Sequence, residues 1–138
     1  MRTIKYIVLH CTATVQHAKV ENIIKYWRNV LKWKSNGYHF IIESSGKVHN
    51  ITPIENVANG VAGYNSASIH ISYIGGIDKN GKALDNRTPE QIEAQKQLIR
   101  TLTKQFPNAE IKGHRDFPNV RKDCPSFDVK SWLKTWLK

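Results

Sequence analysis

The sequence predicts an α/β fold: a central mixed β-sheet flanked by about three main helices, in one domain spanning residues 1–138. Three observations carry this. Ile4–His10 (IKYIVLH) is rich in Ile, Val and Tyr, and both faces of the strand it would form are apolar, which suits the middle of a sheet. Tyr38–Glu43 and Lys47–Ile51 flank Ser44-Ser45-Gly46 and read as a hairpin. Thr88-Pro89-Glu90-Gln91 is a capping box with proline at the first helical position, followed by apolar residues at helical spacing up to Phe106.

The remaining elements follow in order. In the first strand, alternation puts Ile4, Tyr6, Val8 and His10 on one face and Ile7, Leu9 and Cys11 on the other. A first helix is predicted within Ala18–Lys34, where Val20, Ile23, Ile24, Trp27 and Leu31 form the buried stripe; Asn36-Gly37 ends it. Residues 51–65 show no period and read as loop. Ser68–Gly75 is a strand with Ile69, Ile71 and Tyr73 opposite Ser68, His70, Ser72 and Ile74. A polar, glycine-containing loop leads to the capping box. Pro107-Asn108 stops that helix, Glu110–Lys112 is a short strand, and Val129–Leu137 is a last helix with Trp132 and Trp136 expected in the core.

Composition bounds the function. A chain of 138 residues, 40% hydrophobic and 23% charged, is ordinary for a globular domain that can bury a core without staples. A net charge of +10 is not ordinary and calls for an anionic partner: nucleic acid, a membrane surface or a cell-wall polymer. The lysines and arginines are scattered, so a nucleic-acid partner is not expected. No segment approaches membrane-spanning length, and the apolar run after Met1-Arg2-Thr3 is too short for a signal peptide; no membrane insertion and cytoplasmic synthesis are expected. Two cysteines allow one disulfide at most, and a reduced compartment is the simpler reading.

The chemistry concentrates in Gly113–Asp128 (GHRDFPNVRKDCPSFD). His114 and Cys124 stand ten positions apart in a proline-interrupted loop, able to turn an imidazole and a thiolate to one point, a pair that suits zinc. Such a pair also arises by chance, as a loop histidine beside a buried thiol. His10, at the carboxyl end of the first strand, is either a structural residue or part of a site, because ligands of open α/β sheets gather at that edge.

Five blocks in order complete the picture: His10-Cys11-Thr12-Ala13-Thr14, Gly37-Tyr38-His39-Phe40-Ile41-Ile42, Gly63-Tyr64-Asn65, Gly75-Gly76-Ile77-Asp78 and Lys122-Asp123-Cys124-Pro125-Ser126-Phe127-Asp128. Together they resemble the N-acetylmuramoyl-L-alanine amidase type 2 family, which includes the peptidoglycan recognition proteins, and most closely its small phage lysozyme-type members. The resemblance implies a zinc-dependent enzyme that cleaves the amide between the lactyl group of N-acetylmuramic acid and L-alanine in peptidoglycan, as a phage or prophage lysin. It implies one zinc held by His10, His114 and Cys124, with the fourth tetrahedral position open, as in catalytic rather than structural zinc sites. It makes Tyr38 and Lys122 the catalytic candidates and Gly63, Tyr64 and Asn65 a substrate-side loop. Peptidoglycan or muropeptides are the expected partner, and a monomer is expected. The enzyme would act on the wall after release, or inside the cell if it recycles wall fragments. The alternative is a recognition module that binds without cutting; such relatives commonly lack the zinc-binding cysteine, which this chain has as Cys124.

The sequence departs from the family pattern at two places. Many members have a histidine three residues before the glycine of the GYN block, where this chain has Gly60, and most have a small residue where it has His70. His70 is read here as local packing, and His17, His39 and His49 as structural or exposed.

Overall fold

The computed structural model describes residues 2–137. Its elements are β1 (Tyr6–Cys11), α1 (Val20–Lys25), β2 (Phe40–Ile42), β3 (Val48–Asn50), β4 (Ser68–Tyr73), α2 (Pro89–Gln105), β5 (Glu110–Gly113) and α3 (Val129–Lys134). The sheet order is β3-β2-β4-β1-β5. Strand β1 lies between β4 and β5, parallel to both, and β2 is parallel to β4. Only the β2–β3 hairpin is antiparallel, so the sheet is mixed, as predicted.

The two faces of the sheet do different work. On one, Ile7, Leu9 and Cys11 of β1 join Ile69, Ile71 and Tyr73 of β4 and Phe40 and Ile42 of β2 in the main core, against Ile99 and Leu102 of α2 and Val129 of α3. Trp132 and Trp136 of α3 pack against this core, with ring centroids 5.1 Å apart, in the role the sequence predicts. The opposite face carries His10 from β1 and His70 and Ser72 from β4. All three are almost completely buried, though none is apolar. They lie beside the buried Val8, Ile41 and Ile74, so these polar groups form a patch sealed from water that needs internal partners.

Helix α2 is fastened to the sheet by its own cap. Gln91 Oε1 accepts the Thr88 N–H (2.9 Å), while Gln91 Nε2 donates to the carbonyls of Ile42 (3.2 Å) and Ile74 (3.0 Å). The capping box thus reaches past the helix to satisfy carbonyls of the β2 and β4 strand ends. Gln91→Leu is expected to lower stability by about 2 kcal/mol, because a cap is lost and the buried Ile74 carbonyl loses its donor, while the Ile42 carbonyl keeps the Ile74 N–H. The shift of a urea-unfolding midpoint, with unchanged m-value, measures it.

The last helix stops at Lys134 rather than Leu137 and β2 begins at Phe40 rather than Tyr38, but the first helix differs most from its prediction. The helix expected within Ala18–Lys34 stops as α-helix at Lys25 and widens into a π-turn over Tyr26–Val30. Val20, Ile23 and Trp27 are buried as predicted, but Leu31 is 38% exposed. The wider turn breaks the i, i+4 stripe after Trp27. Lys32, at φ 61°, then turns the chain so that the Trp33 ring stacks beside Trp27, centroids 6.4 Å apart. Gly37 closes against the same indole: a Cβ there would lie 3.0 Å from the Trp27 ring. This packing brings Tyr38 edge-on to Trp27, at 5.4 Å, and towards His10.

Candidate metal centre

Three elements deliver three donors to one point. His10 comes from the end of the buried strand β1, His114 follows β5 directly in a short 3-10 turn, and Cys124 lies in the loop before α3. Their ligand atoms all lie within 4.8 Å of one another. His10 Nδ1 is 3.8 Å from Cys124 Sγ, and the two imidazole centroids are 4.8 Å apart. Among the described residues these form the one group of three or more His, Cys, Asp or Glu able to hold a metal ion. The set brings together the three residues singled out in the sequence.

The donor chemistry fits zinc. Tetrahedral zinc with two imidazoles and a thiolate separates its donors by roughly 3.3–3.6 Å, from bond lengths near 2.0–2.3 Å, close to the His10–Cys124 spacing. Burial first, then the neighbouring His70, His114 and Lys122, hold His10 well below its ordinary pKa. His114 is lowered to about 4, by burial and then by the Lys122 ammonium. Both rings are therefore neutral near pH 7, the form in which imidazole binds metal. Hydrogen bonding to Cys11 and burial push the Cys124 thiol up in the metal-free protein.

Cys11 serves the centre through its backbone. Its N–H donates to Cys124 Sγ at 3.2 Å, and its carbonyl accepts from the Cys124 thiol at 3.7 Å. Its own side chain lies on the opposite face from His10, in the main core, 3.8 Å from the Ser126 hydroxyl. Gly76 makes room for it, since a Cβ there, at φ 98°, would meet Cys11 Sγ at 2.5 Å. Cys11→Ser is expected to retain metal binding within a few-fold and to lose about 1 kcal/mol of stability, because a hydroxyl packs less well than a thiol against the core even with the Ser126 hydroxyl in reach. Metal content by elemental analysis, beside thermal unfolding, checks both halves.

Tyr38 and Lys122 stand on the wall of the cavity, of about 180 Å³, that contains His10, His114 and Cys124. The Tyr38 ring is 5.0 Å from the His10 ring, and its hydroxyl donates to the Cys11 carbonyl at 3.3 Å. Burial first, and the nearby Cys124 thiol second, raise its pKa above the ordinary tyrosine value. The phenol therefore keeps its proton. Lys122 is exposed at the mouth, where a larger hollow of about 750 Å³ begins, lined by Trp33, Tyr64, Asn65 and Arg121 among others.

The GYN block borders the larger hollow through Tyr64 and Asn65. Gly63 makes a turn at φ 88°. Tyr64 borders the larger hollow while its ring packs against Phe117 (4.7 Å) and Tyr6 (5.9 Å). Asn65 turns its amide oxygen inward, accepting from the Val61 N–H at 2.7 Å and facing His70 Nε2 at 2.9 Å. His39 is buried too, its Nδ1 accepting from the His70 N–H at 3.0 Å. His49 pairs with Glu43 at 3.2 Å, and His17 is exposed.

A family model described as N-acetylmuramoyl-L-alanine amidase matches residues 1–127 of this sequence. The chain belongs to the N-acetylmuramoyl-L-alanine amidase family. Among relatives of this amidase-family chain is the endolysin of Enterobacteria phage K11, 38% identical over 128 residues, which cover 92% of this chain and 83% of that protein. Its fold is that of the Ph2119 endolysin from Thermus scotoductus MAT2119 bacteriophage Ph2119, with a TM-score of 0.82 at 24% identity over 97% of this chain and 85% of that one. It is also that of Drosophila PGRP-LB, with a TM-score of 0.79 at 18% identity, covering 99% and 83%. The family expected from the five sequence blocks is thus the family found.

Proposed function

We propose that this amidase-family chain is a zinc-dependent N-acetylmuramoyl-L-alanine amidase of the phage endolysin kind, hydrolysing the bond between the lactyl carbonyl and L-alanine in peptidoglycan. The observation that carries the reading is the convergence of His10, His114 and Cys124 in a cavity whose wall also holds Tyr38 and Lys122. His10, His114 and Cys124 would hold the metal. When bound, zinc supplies Lewis acidity: it polarises an amide carbonyl and lowers the pKa of water towards about 7.

The chain's own groups supply the rest. Lys122 sets an ammonium beside the cavity, where negative charge develops on the carbonyl oxygen as the amide carbon becomes tetrahedral. Tyr38, held protonated by burial, would turn its hydroxyl from the Cys11 carbonyl to donate to that oxygen or to the attacking water rather than acting as a base. The Trp27 and Trp33 rings line the cavity and limit the water around it. The excess of ten positive charges favours a wall polymer rich in phosphates and carboxylates. Among the described residues no helix is long and apolar enough to cross a membrane.

The test is direct. Zinc-loaded protein incubated with defined muropeptides is expected to release free stem peptide and intact sugar, identified by mass. Binding to muropeptides with no product would instead support a recognition module.

A further inference from the structure

The sheet face that carries His10 holds a second feature that the three candidate metal donors do not explain. His70 is fully buried on β4, and the pairing of Val8 with His70 brings its ring beside that of His10. His70 Nδ1 is 2.8 Å from His10 Nε2, with ring centroids 4.9 Å apart. The protons along this contact can be assigned from a backbone group. The Val61 N–H can only donate, so the Asn65 side-chain atom facing it at 2.7 Å is the amide oxygen. That same oxygen faces His70 Nε2 at 2.9 Å, so Nε2 carries the proton. A neutral imidazole has one N–H, which leaves His70 Nδ1 bare. His10 Nε2 must then be the donor across the 2.8 Å contact. The remaining nitrogen of His10, Nδ1, has a free lone pair and is the one facing Cys124 Sγ.

From this geometry we infer that His70 is a positioning residue: it fixes His10 as the Nε2–H tautomer and so points the unprotonated Nδ1 at the metal. The inference rests on the zinc reading proposed above. Metal-binding histidines commonly donate their second N–H to a carboxylate, a carbonyl or water, which fixes the tautomer and ring orientation. Here a neutral imidazole does that work, itself oriented by Asn65. The role also explains Gly60. A Cβ there would lie 2.2 Å from His70 Nδ1 and 2.4 Å from its Cε1, so only glycine leaves room for the ring. The two positions where the sequence leaves the family pattern are therefore in contact, and His70 requires the glycine at 60. His39 completes the seat: its ring stacks on His70 with centroids 5.8 Å apart and 15° between planes.

Long-range proton–nitrogen correlation spectra of the metal-free protein, with ring nitrogens labelled, read the tautomers directly. Both His10 and His70 are expected as Nε2–H. Finding His10 as Nδ1–H overturns the inference, whatever the protein's activity. Zinc affinity, measured by chelator competition, gives a second arm. His70→Ala is expected to weaken zinc binding on the order of 10–100-fold, the usual cost of losing such a partner. His70→Asn, whose amide oxygen can stand where Nδ1 stands, is expected to stay within a few-fold of wild type. Gly60→Ala must push the ring aside and should weaken zinc as His70→Ala does, yet add nothing in the His70→Ala background. Wild-type zinc affinity in His70→Ala overturns the inference. If the wild-type protein binds no zinc, the metal reading fails, and the tautomer spectrum still decides the role of His70.

Discussion

Cys124→Ala is expected to lose most of its zinc, while the wild-type protein binds about one ion per chain. Three donors converge in the cavity, and removing the thiolate leaves two neutral imidazoles, too few to hold the ion against competition from a chelator. The thiolate also carries the only negative charge among the donors. Its loss leaves the cation beside Lys122, which already disfavours positive charge on His10 and His114. The fold should survive: Cys124 is only partly buried, and what the substitution removes is its sulfur contacts with the Cys11 backbone and thiol. The comparison with Cys11→Ser sharpens the result, because the two thiols are neighbours and only one lies in the donor group. Elemental analysis after dialysis against a weak chelator reads both variants, and full zinc occupancy in Cys124→Ala would remove that residue from the site.

Much of this site is legible in the sequence through the five blocks that carry the family resemblance; the His114–Cys124 spacing alone would not single it out. His10, His114, Cys124, Tyr38 and Lys122 all lie in short blocks whose neighbours set the backbone: a buried strand, a strand-to-turn junction and a proline-bounded loop. The sheet faces follow from period-two alternation, which places His70 and Ser72 opposite Ile69, Ile71 and Tyr73 as observed. Two things resisted. The π-turn after Lys25 depends on where Trp33 packs, a tertiary contact that periodicity does not encode. His70, read as packing, is instead hydrogen-bonded to His10, 60 positions earlier. A signal for it existed in the two departures at positions 60 and 70, but their compensation appears only when one Cβ is placed against the other's ring.

Lys122→Ala is expected to fold, to keep its zinc and to associate with cell walls, yet to turn over muropeptides on the order of a hundredfold or more slowly, as for loss of one oxyanion donor. The side chain is exposed at the cavity mouth and belongs to no core cluster, so its removal costs the fold little. Zinc should not loosen either, since Lys122 is no donor and its charge opposes a cation nearby. The expected kinetic pattern is a fall in kcat with little change in KM, because an ammonium that meets charge only as the carbonyl carbon becomes tetrahedral leaves ground-state binding alone. Wall association should weaken as salt rises in the variant and the wild type alike, being set by the whole positive surface. Tyr38→Phe provides the companion case. It removes one hydroxyl, leaves the ring between Trp27 and His10, and should also keep zinc while lowering kcat. Wild-type turnover in both variants would show that the charge developing on the substrate oxygen is met by other groups, and the roles assigned to Tyr38 and Lys122 would fall together.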